Sequence, residues 1–265
     1  MRERLWLVLR RSAFLRRLYA IPALIGPLRW LSFLLLPSCG TRPLRVRSGP
    51  GKGLVFELNP RWETASWEGC YEQAAQEYFQ KQLKSGCVFY DVGANFGFYS
   101  LLAARQGAQV FAFEPDVSVA ESLERHVRLN SLNARIVIIR AAVYSTTGSI
   151  ALDPASCQRG HGNAHVGVAL DPSHPTVPVV CTTLDDFARG HVAPDIVKID
   201  VEGAESEVLK GAEKVFAESR PHLLCEVHDR ANAFFVEAWL KDRGYDIRWI
   251  DECDKLPRQL LATPR

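Results

Sequence analysis

The residues with chemistry to offer are carboxylates at the ends of apolar runs. Asp91-Val-Gly93-Ala94-Asn95-Phe-Gly97 closes the run VFYDVG, residues 88–93, with two glycines four apart. Such spacing suits a chain that leaves a strand, turns tightly and approaches a ligand closely. A dinucleotide fingerprint would need G-x-G-x-x-G, its turn amides around a pyrophosphate. Here Asn95 holds the middle position and an acid, Asp91, precedes the turn. A carboxylate there is a poor neighbour for pyrophosphate and a good one for a ligand bearing an ammonium and a sulfonium. Glu114 ends the next apolar run, 21 residues beyond Gly93, where an acid accepts hydrogen bonds from ribose hydroxyls in nucleotide-binding βαβ units. A bidentate carboxylate suits a free 2′,3′-diol and repels a 2′-phosphate. The combination favours S-adenosylmethionine over a dinucleotide.

These residues must be positioned by regular elements, and the pattern supplies them from residue 54 onward. Residues 54–59 read as a short strand and 67–86 as a helix ending at Gly86. Strands are predicted at 88–93, 108–116 and 134–143, with helices at 97–107 and 117–130 between them. Residues 144–193 break the rhythm with Gly, Pro, Ser and Thr, leaving short strand candidates at 149–152 and 177–184. An insertion of this kind is where substrate recognition is expected. His161 and His165 stand in HxxxH spacing inside it, but GHGNAH is a poor helix, so the segment reads as loop and not as a zinc site. Strands at 195–203, 222–228 and 246–251 resume the core, with helices at 204–219 and 234–244. Strands alternating with helices predict an α/β fold with an open, mostly parallel, doubly wound sheet. The domain reading is an extension at 1–53, the main domain at 54–252 and a tail at 253–265.

The segments WEGCYE, DVGANFGFYS, FAFEPD, TLDDF, VKIDVEGAESEVLKGA and RPHLLCE, in that order, resemble the FkbM-type family of S-adenosylmethionine-dependent methyltransferases. The likeness covers about residues 66–228 and not the arginine-rich start or the last thirty-odd residues. It implies a Rossmann-like sheet of about seven strands with helices on both faces. It also implies transfer of a methyl group to a hydroxyl of a glycan, glycolipid or secondary metabolite. The cofactor-binding set is then Glu72, Asp91, Gly93, Ala94, Asn95, Gly97, Glu114, Pro115 and Ala142. By their own position ahead of the first core strand, Glu68, Tyr71 and Glu72 read either as closing over the cofactor or as an amphipathic helix with solvated acids.

Methyl transfer from a sulfonium is an in-line displacement, so placing the acceptor oxygen behind the methyl carbon supplies much of the catalysis. An alkyl hydroxyl is a poor nucleophile while protonated, and a base helps. Asp200, at the end of the fourth strand, is the first candidate, followed by Glu202, whose alternative role is to cap the next helix. Strand alternation puts Glu226 and His228 on one face, with His228 a candidate base near neutral pH. These four can also hold a divalent ion, although the expectation is that no metal is obligatory. Phe96 and Phe98 beside the glycines read either as core or as an aromatic wall for the sulfonium.

The chain is 47% hydrophobic and 23% charged with a formal charge of +2, the composition of a globular protein. That charge is unevenly spread. Residues 1–50 carry ten Arg against Glu3, or +9, and the rest carries 22 basic and 29 acidic residues, or −7. The stretch 18–36 is apolar but is interrupted by Pro22, Gly26, Pro27 and Arg29, which disfavours a spanning helix. With arginine clusters interleaved with Leu, Trp and Phe, residues 1–36 suit peripheral contact with an anionic membrane or packing on the body. Seven cysteines without a CxxC pair read as reduced thiols of a cytoplasmic protein. A nucleic-acid methyltransferase is disfavoured by IDVEG where an NPPY- or DPPY-type loop is usual, and by the acidic body. Asn95 weighs against a dehydrogenase, and the complete glycine and acid set against a fold that has lost turnover.

Overall fold

A computed structural model describes residues 40–59, 63–153, 165–166, 176–250 and 255–265. The expectation for residues 1–36, and His161, fall outside them. An antiparallel pair, β1 (Arg42–Arg45) and β2 (Val55–Leu58), leads into helices α1 (Thr64–Glu68) and α2 (Gln73–Gln82). Then β3 (Val88–Val92), α3 (Phe98–Arg105), β4 (Gln109–Phe113), α4 (Val117–Leu129) and β5 (Ile136–Ile139) form two crossovers. The chain next builds β6 (Ala142–Val143), β7 (Gly148–Asp153), β8 (His165–Val166), β9 (Val177–Thr182) and α5 (Leu184–Ala188). It returns with β10 (Ile196–Ile199), α6 (Glu205–Lys210), α7 (Glu213–Glu218), β11 (His222–Val227), α8 (Arg230–Asp242), β12 (Tyr245–Trp249) and β13 (Arg258–Pro264).

The main sheet has seven strands in the order β12-β13-β11-β10-β3-β4-β5, parallel except for β13, which runs antiparallel to both neighbours. Strand order reverses between β3 and β10, and that reversal opens a crevice beyond their carboxyl ends. Alternation along each strand divides the core into two layers. Phe89, Leu224 and Leu261 pack with α2, α3 and α4, whereas Tyr90, Val92, Val197, Ile199 and Leu223 pack with α6, α7 and α8. This is the predicted doubly wound α/β sheet with helices on both faces.

Four details differ from the sequence reading. The predicted helix 67–86 is two helices separated at Gly69, where an added Cβ would lie 2.0 Å from the Ser48 carbonyl oxygen. The helix predicted at 204–219 is broken at Gly211, pressed against the Tyr144 carbonyl oxygen, although Val208, Leu209, Ala212, Val215 and Phe216 are all buried. The third strand stops at Ile139, and Ala142 belongs to a second, four-stranded sheet, β6-β9-β7-β8, built from the insertion. Residues 258–264, set apart as tail, form β13 between β11 and β12. Leu260, Leu261 and Ala262 are buried on both faces there, and a short apolar run at a chain end has no period of its own to announce it. No helix among the described residues is long and apolar enough to cross a membrane.

Candidate active site

The turn after β3 is shaped by its glycines. Gly93 has φ +76°, and a Cβ there would lie 1.8 Å from the Asp200 carbonyl oxygen, so the turn rests directly on the end of β10. At Gly97, φ +90°, a Cβ would meet Leu123 of α4 at 2.0 Å. Asn95 also adopts a positive φ, 51°, which Asn tolerates. The amides of Gly93 and Ala94 both donate to the Phe113 carbonyl, at 3.1 and 2.9 Å. The Asn95 amide donates to Glu114 Oε2 at 2.9 Å. These amides therefore serve the end of β4 and are not arrayed around a pyrophosphate.

Glu114 is the hub of that arrangement. Its second oxygen, Oε1, accepts from the Asp116 amide at 2.9 Å, across Pro115, and Asp116 caps α4 through the Ser118 and Val119 amides. Each carboxylate oxygen keeps a second lone pair for a hydroxyl. Burial pushes the Glu114 carboxyl up to about 7, against the pull of its two backbone hydrogen bonds. Ala142 lies just past β5, buried in β6. Phe96 and Phe98 pack on Phe56, at ring separations of 5.6 and 5.7 Å, which makes them core and not an aromatic wall.

A second group is gathered by alternation. Asp91 follows Phe89 by two residues on β3, Lys198 follows Ile196 on β10 in register with Asp91, and Glu226 follows Leu224 on β11. All therefore project to the α2 and α3 side of the sheet, and one pleat further on so do Asp200 and His228. Asp91, 1% exposed, accepts from Ser100 Oγ at 2.6 Å through Oδ2, while its Oδ1 has no hydrogen-bond partner among the described residues. Burial raises its pKa. An orphaned buried carboxylate oxygen beside a turn too tight for a side chain fits a cationic, ribose-bearing cofactor. Lys198 donates to Asp200 Oδ2 at 3.0 Å and lies 5.1 Å from the centre of the Tyr99 ring. Burial opposes its charge, but Asp200, Asp91 and Glu72 prevail and hold its pKa above the ordinary lysine value.

His228 sits between carboxylates. Its Nδ1 is 2.7 Å from Glu205 Oε1, and its Nε2 is 3.0 Å from Glu202 Oε2 and 3.9 Å from both Asp200 Oδ1 and Glu226 Oε1. Burial works against an imidazolium here, yet the hydrogen bonds to Glu202 and Glu205 outweigh it and raise the pKa to about 10. Set between these carboxylates with nothing bound, His228 favours its protonated form, which works against the expected role as a base. Glu226 is pushed up to about 7 by burial and then by the charges of Asp200 and Glu72. Glu202, φ +53°, is not the cap of α6, whose N-cap is Ala204. Asn232 fixes this loop, donating to the Gly203 carbonyl at 2.8 Å and accepting from the Ser206 amide at 2.9 Å.

A cleft of about 530 Å³ opens beside this cluster, lined by Glu72, Gln73, Ala74, Glu226, Lys255, Leu256, Pro257 and Gln259. Glu72, at the start of α2, accepts from Tyr99 Oη at 2.7 Å, so it stands on the cleft wall with Glu226. Among the described residues, the walls come from α2, β11 and the approach to β13. Sequence reasoning missed Lys198, Glu205 and Gln259. A lysine inside the apolar run IVKI was the available signal for Lys198; Glu205 and Gln259 are identifiable only from their non-local partners.

The sequence model of the FkbM methyltransferase domain matches residues 91–247. The methyltransferase sdnD of Sordaria araneosa is 27% identical over 214 residues, covering 67% of this chain and 78% of that protein. The hexuronic acid methyltransferase AglP of Haloferax volcanii is 26% identical over 176 residues, covering 66% and 69%. Among solved structures, methyltransferase FkbM from Methylobacillus flagellatus shares the fold, with a TM-score of 0.51 at 19% identity, covering 70% of this chain and half of the other. With the domain match spanning more than half of its length and the fold and turn to go with it, the chain belongs to the FkbM methyltransferase family.

Proposed function

We propose that the protein is an S-adenosylmethionine-dependent O-methyltransferase acting on a hydroxyl of a sugar in a glycan or glycolipid, or of a secondary metabolite. The observation that carries this reading is the convergence of Asp200, Glu202 and Glu226 at the ends of β10 and β11, where Glu226 lines the cleft and the Gly93 turn rests on the Asp200 backbone. Asp91 and Glu114 would hold the cofactor, Asp91 by charge and Glu114 through the ribose hydroxyls. Bound there, S-adenosylmethionine supplies an electrophilic methyl group. The carboxylates of the cluster receive the acceptor hydroxyl and its proton, and strand ends fixed by Lys198 and Asn232 orient that oxygen. Carboxylates and the Gln259 amide suit a polyhydroxylated acceptor, and the resemblance to AglP supports a sugar.

The test uses methyl-labelled S-adenosylmethionine, the purified protein and fractionated extract of its source cell, with Asp91→Ala as control. Label should enter carbohydrate or lipid with the wild type alone. Label confined to protein or nucleic acid would refute the acceptor class. Failure of the wild type to bind the cofactor in calorimetry would refute the reaction.

A further inference from the structure

We propose that Asp200, Glu226 and His228 form a site for one divalent cation of the Mn²⁺ or Mg²⁺ class, which receives the acceptor through two adjacent oxygens. The proposed role in catalysis rests on the methyl-transfer reading; the cation site itself does not. Asp200, Glu226 and His228 each offer a donor atom within 4.8 Å of the other two, and His228 Nε2 is 3.9 Å from both Asp200 Oδ1 and Glu226 Oε1. An octahedral ion with ligands at about 2.1 Å sets its donors about 3.0 Å apart when adjacent and about 4.2 Å when opposite. Cation binding releases the Nε2 proton of His228 to solvent and frees that nitrogen from Glu202 Oε2, now 3.0 Å away, after which the cluster needs only a small closure to meet that geometry.

The outer atoms of the same three side chains are each held. Lys198 donates to Asp200 Oδ2 at 3.0 Å, Gln259 Nε2 to Glu226 Oε2 at 3.3 Å, and Glu205 Oε1 engages His228 Nδ1 at 2.7 Å. A carboxylate on the far nitrogen of an imidazole is the support that turns its near nitrogen toward a metal. A second observation comes from below the cluster. Glu205 is 0% exposed, its Oε1 holds His228 Nδ1 and the Gly203 amide, and its Oε2 has no hydrogen-bond partner among the described residues. The unfilled oxygen leaves this buried carboxylate favouring a cation on the far side of the imidazole it supports. One imidazole with oxygen donors favours Mn²⁺ or Mg²⁺ over thiolate-seeking ions. Three protein ligands leave positions open toward the cleft, and the cation there takes two neighbouring acceptor oxygens, as a vicinal diol or a hydroxyl beside a carboxylate offers. The coordinated hydroxyl breaks its O–H bond, its proton passing to the Glu202 carboxylate and its electron pair remaining on the oxygen. This departs from the expectation of no obligatory metal.

The test titrates Mn²⁺ into the full chain, stripped with EDTA and desalted, following the free-ion signal by electron paramagnetic resonance. One Mn²⁺ per chain should bind, with a ¹⁴N coupling in the electron spin echo that His228→Gln removes. Glu226→Gln should weaken binding about tenfold or more, and Glu205→Gln about tenfold through the imidazole. Absence of saturable binding in the wild type, binding without the ¹⁴N coupling, or undiminished binding by Glu226→Gln would each overturn the site. Calorimetry with S-adenosylmethionine in EDTA runs separately, so failure of the cation site and failure of the cofactor reading are distinguishable.

Discussion

In its proposed role on the ribose, Glu114 would make cofactor binding depend on pH. Its folded pKa of about 7 lies above the ordinary glutamate value because the side chain is buried. A raised carboxyl stabilises the fold fully below its unfolded pKa, and that contribution is lost as pH rises through about 7. The proposed ribose recognition would have the opposite sign, since the carboxylate and not the acid accepts from two hydroxyls. Cofactor affinity measured by calorimetry should therefore rise between pH 6 and pH 8, and Glu114→Gln should bind weakly with no such step. A flat wild-type profile would remove Glu114 from the ribose. Lys198 is the other residue on which the site's charge turns. Replacing it with Met leaves Asp91 and Asp200 without their buried cation, and breaking a buried pair costs about 3–5 kcal/mol. Urea denaturation of Lys198→Met at pH 7 should show a loss of that size. A loss below about 1 kcal/mol would mean that the two acids are compensated elsewhere.

At the scale of elements, Gly93 and Gly86 form a matched pair. Both have positive φ, 76° and 85°, but a Cβ on Gly93 would strike the Asp200 carbonyl whereas Gly86 has open space around it. Gly86→Ala should cost only the backbone penalty, about 1–2 kcal/mol, and retain cofactor binding. Gly93→Ala must also push the β10 end away, which should abolish binding in calorimetry and disturb His228 through Asp200. Equal binding by the two variants would show that the contact with β10 does not shape the site. The same contrast explains what was legible. The succession β3, α3, β4, α4 could be read because apolar period and glycine spacing are local properties of residues 88–130. The breaks at Gly69 and Gly211 could not, because the atoms that forbid a side chain belong to Ser48 and Tyr144. Similarly, Asp200 could be placed at a strand end and Glu226 with His228 by alternation, but the raised pKa of His228 depends on Glu202 and Glu205 closing around it. Strand β13 escaped because its partners, β11 and β12, are what define it.

At the scale of the whole molecule, charge divides the chain more sharply than the fold does. Residues 1–39 carry seven arginines against Glu3, or +6, so with a total of +2 the remaining residues carry −4. An anionic bilayer repels such a body and attracts such an arm, each arginine near the surface being worth about 1 kcal/mol. We propose that the arm holds the enzyme at an anionic membrane, where a lipid-linked sugar would meet the cleft. The full chain should then cosediment with vesicles containing phosphatidylserine and not with phosphatidylcholine alone, and binding should weaken with salt as charges are screened. Replacing Arg10, Arg11, Arg16 and Arg17 with Ser removes four of the contacts and should lower partitioning at least tenfold, while cofactor affinity stays unchanged because none of the four lies among the site residues. Equal sedimentation with both lipids, or of both proteins, would mean that these arginines face the body or solvent, and a freely diffusing acceptor would then be the better expectation.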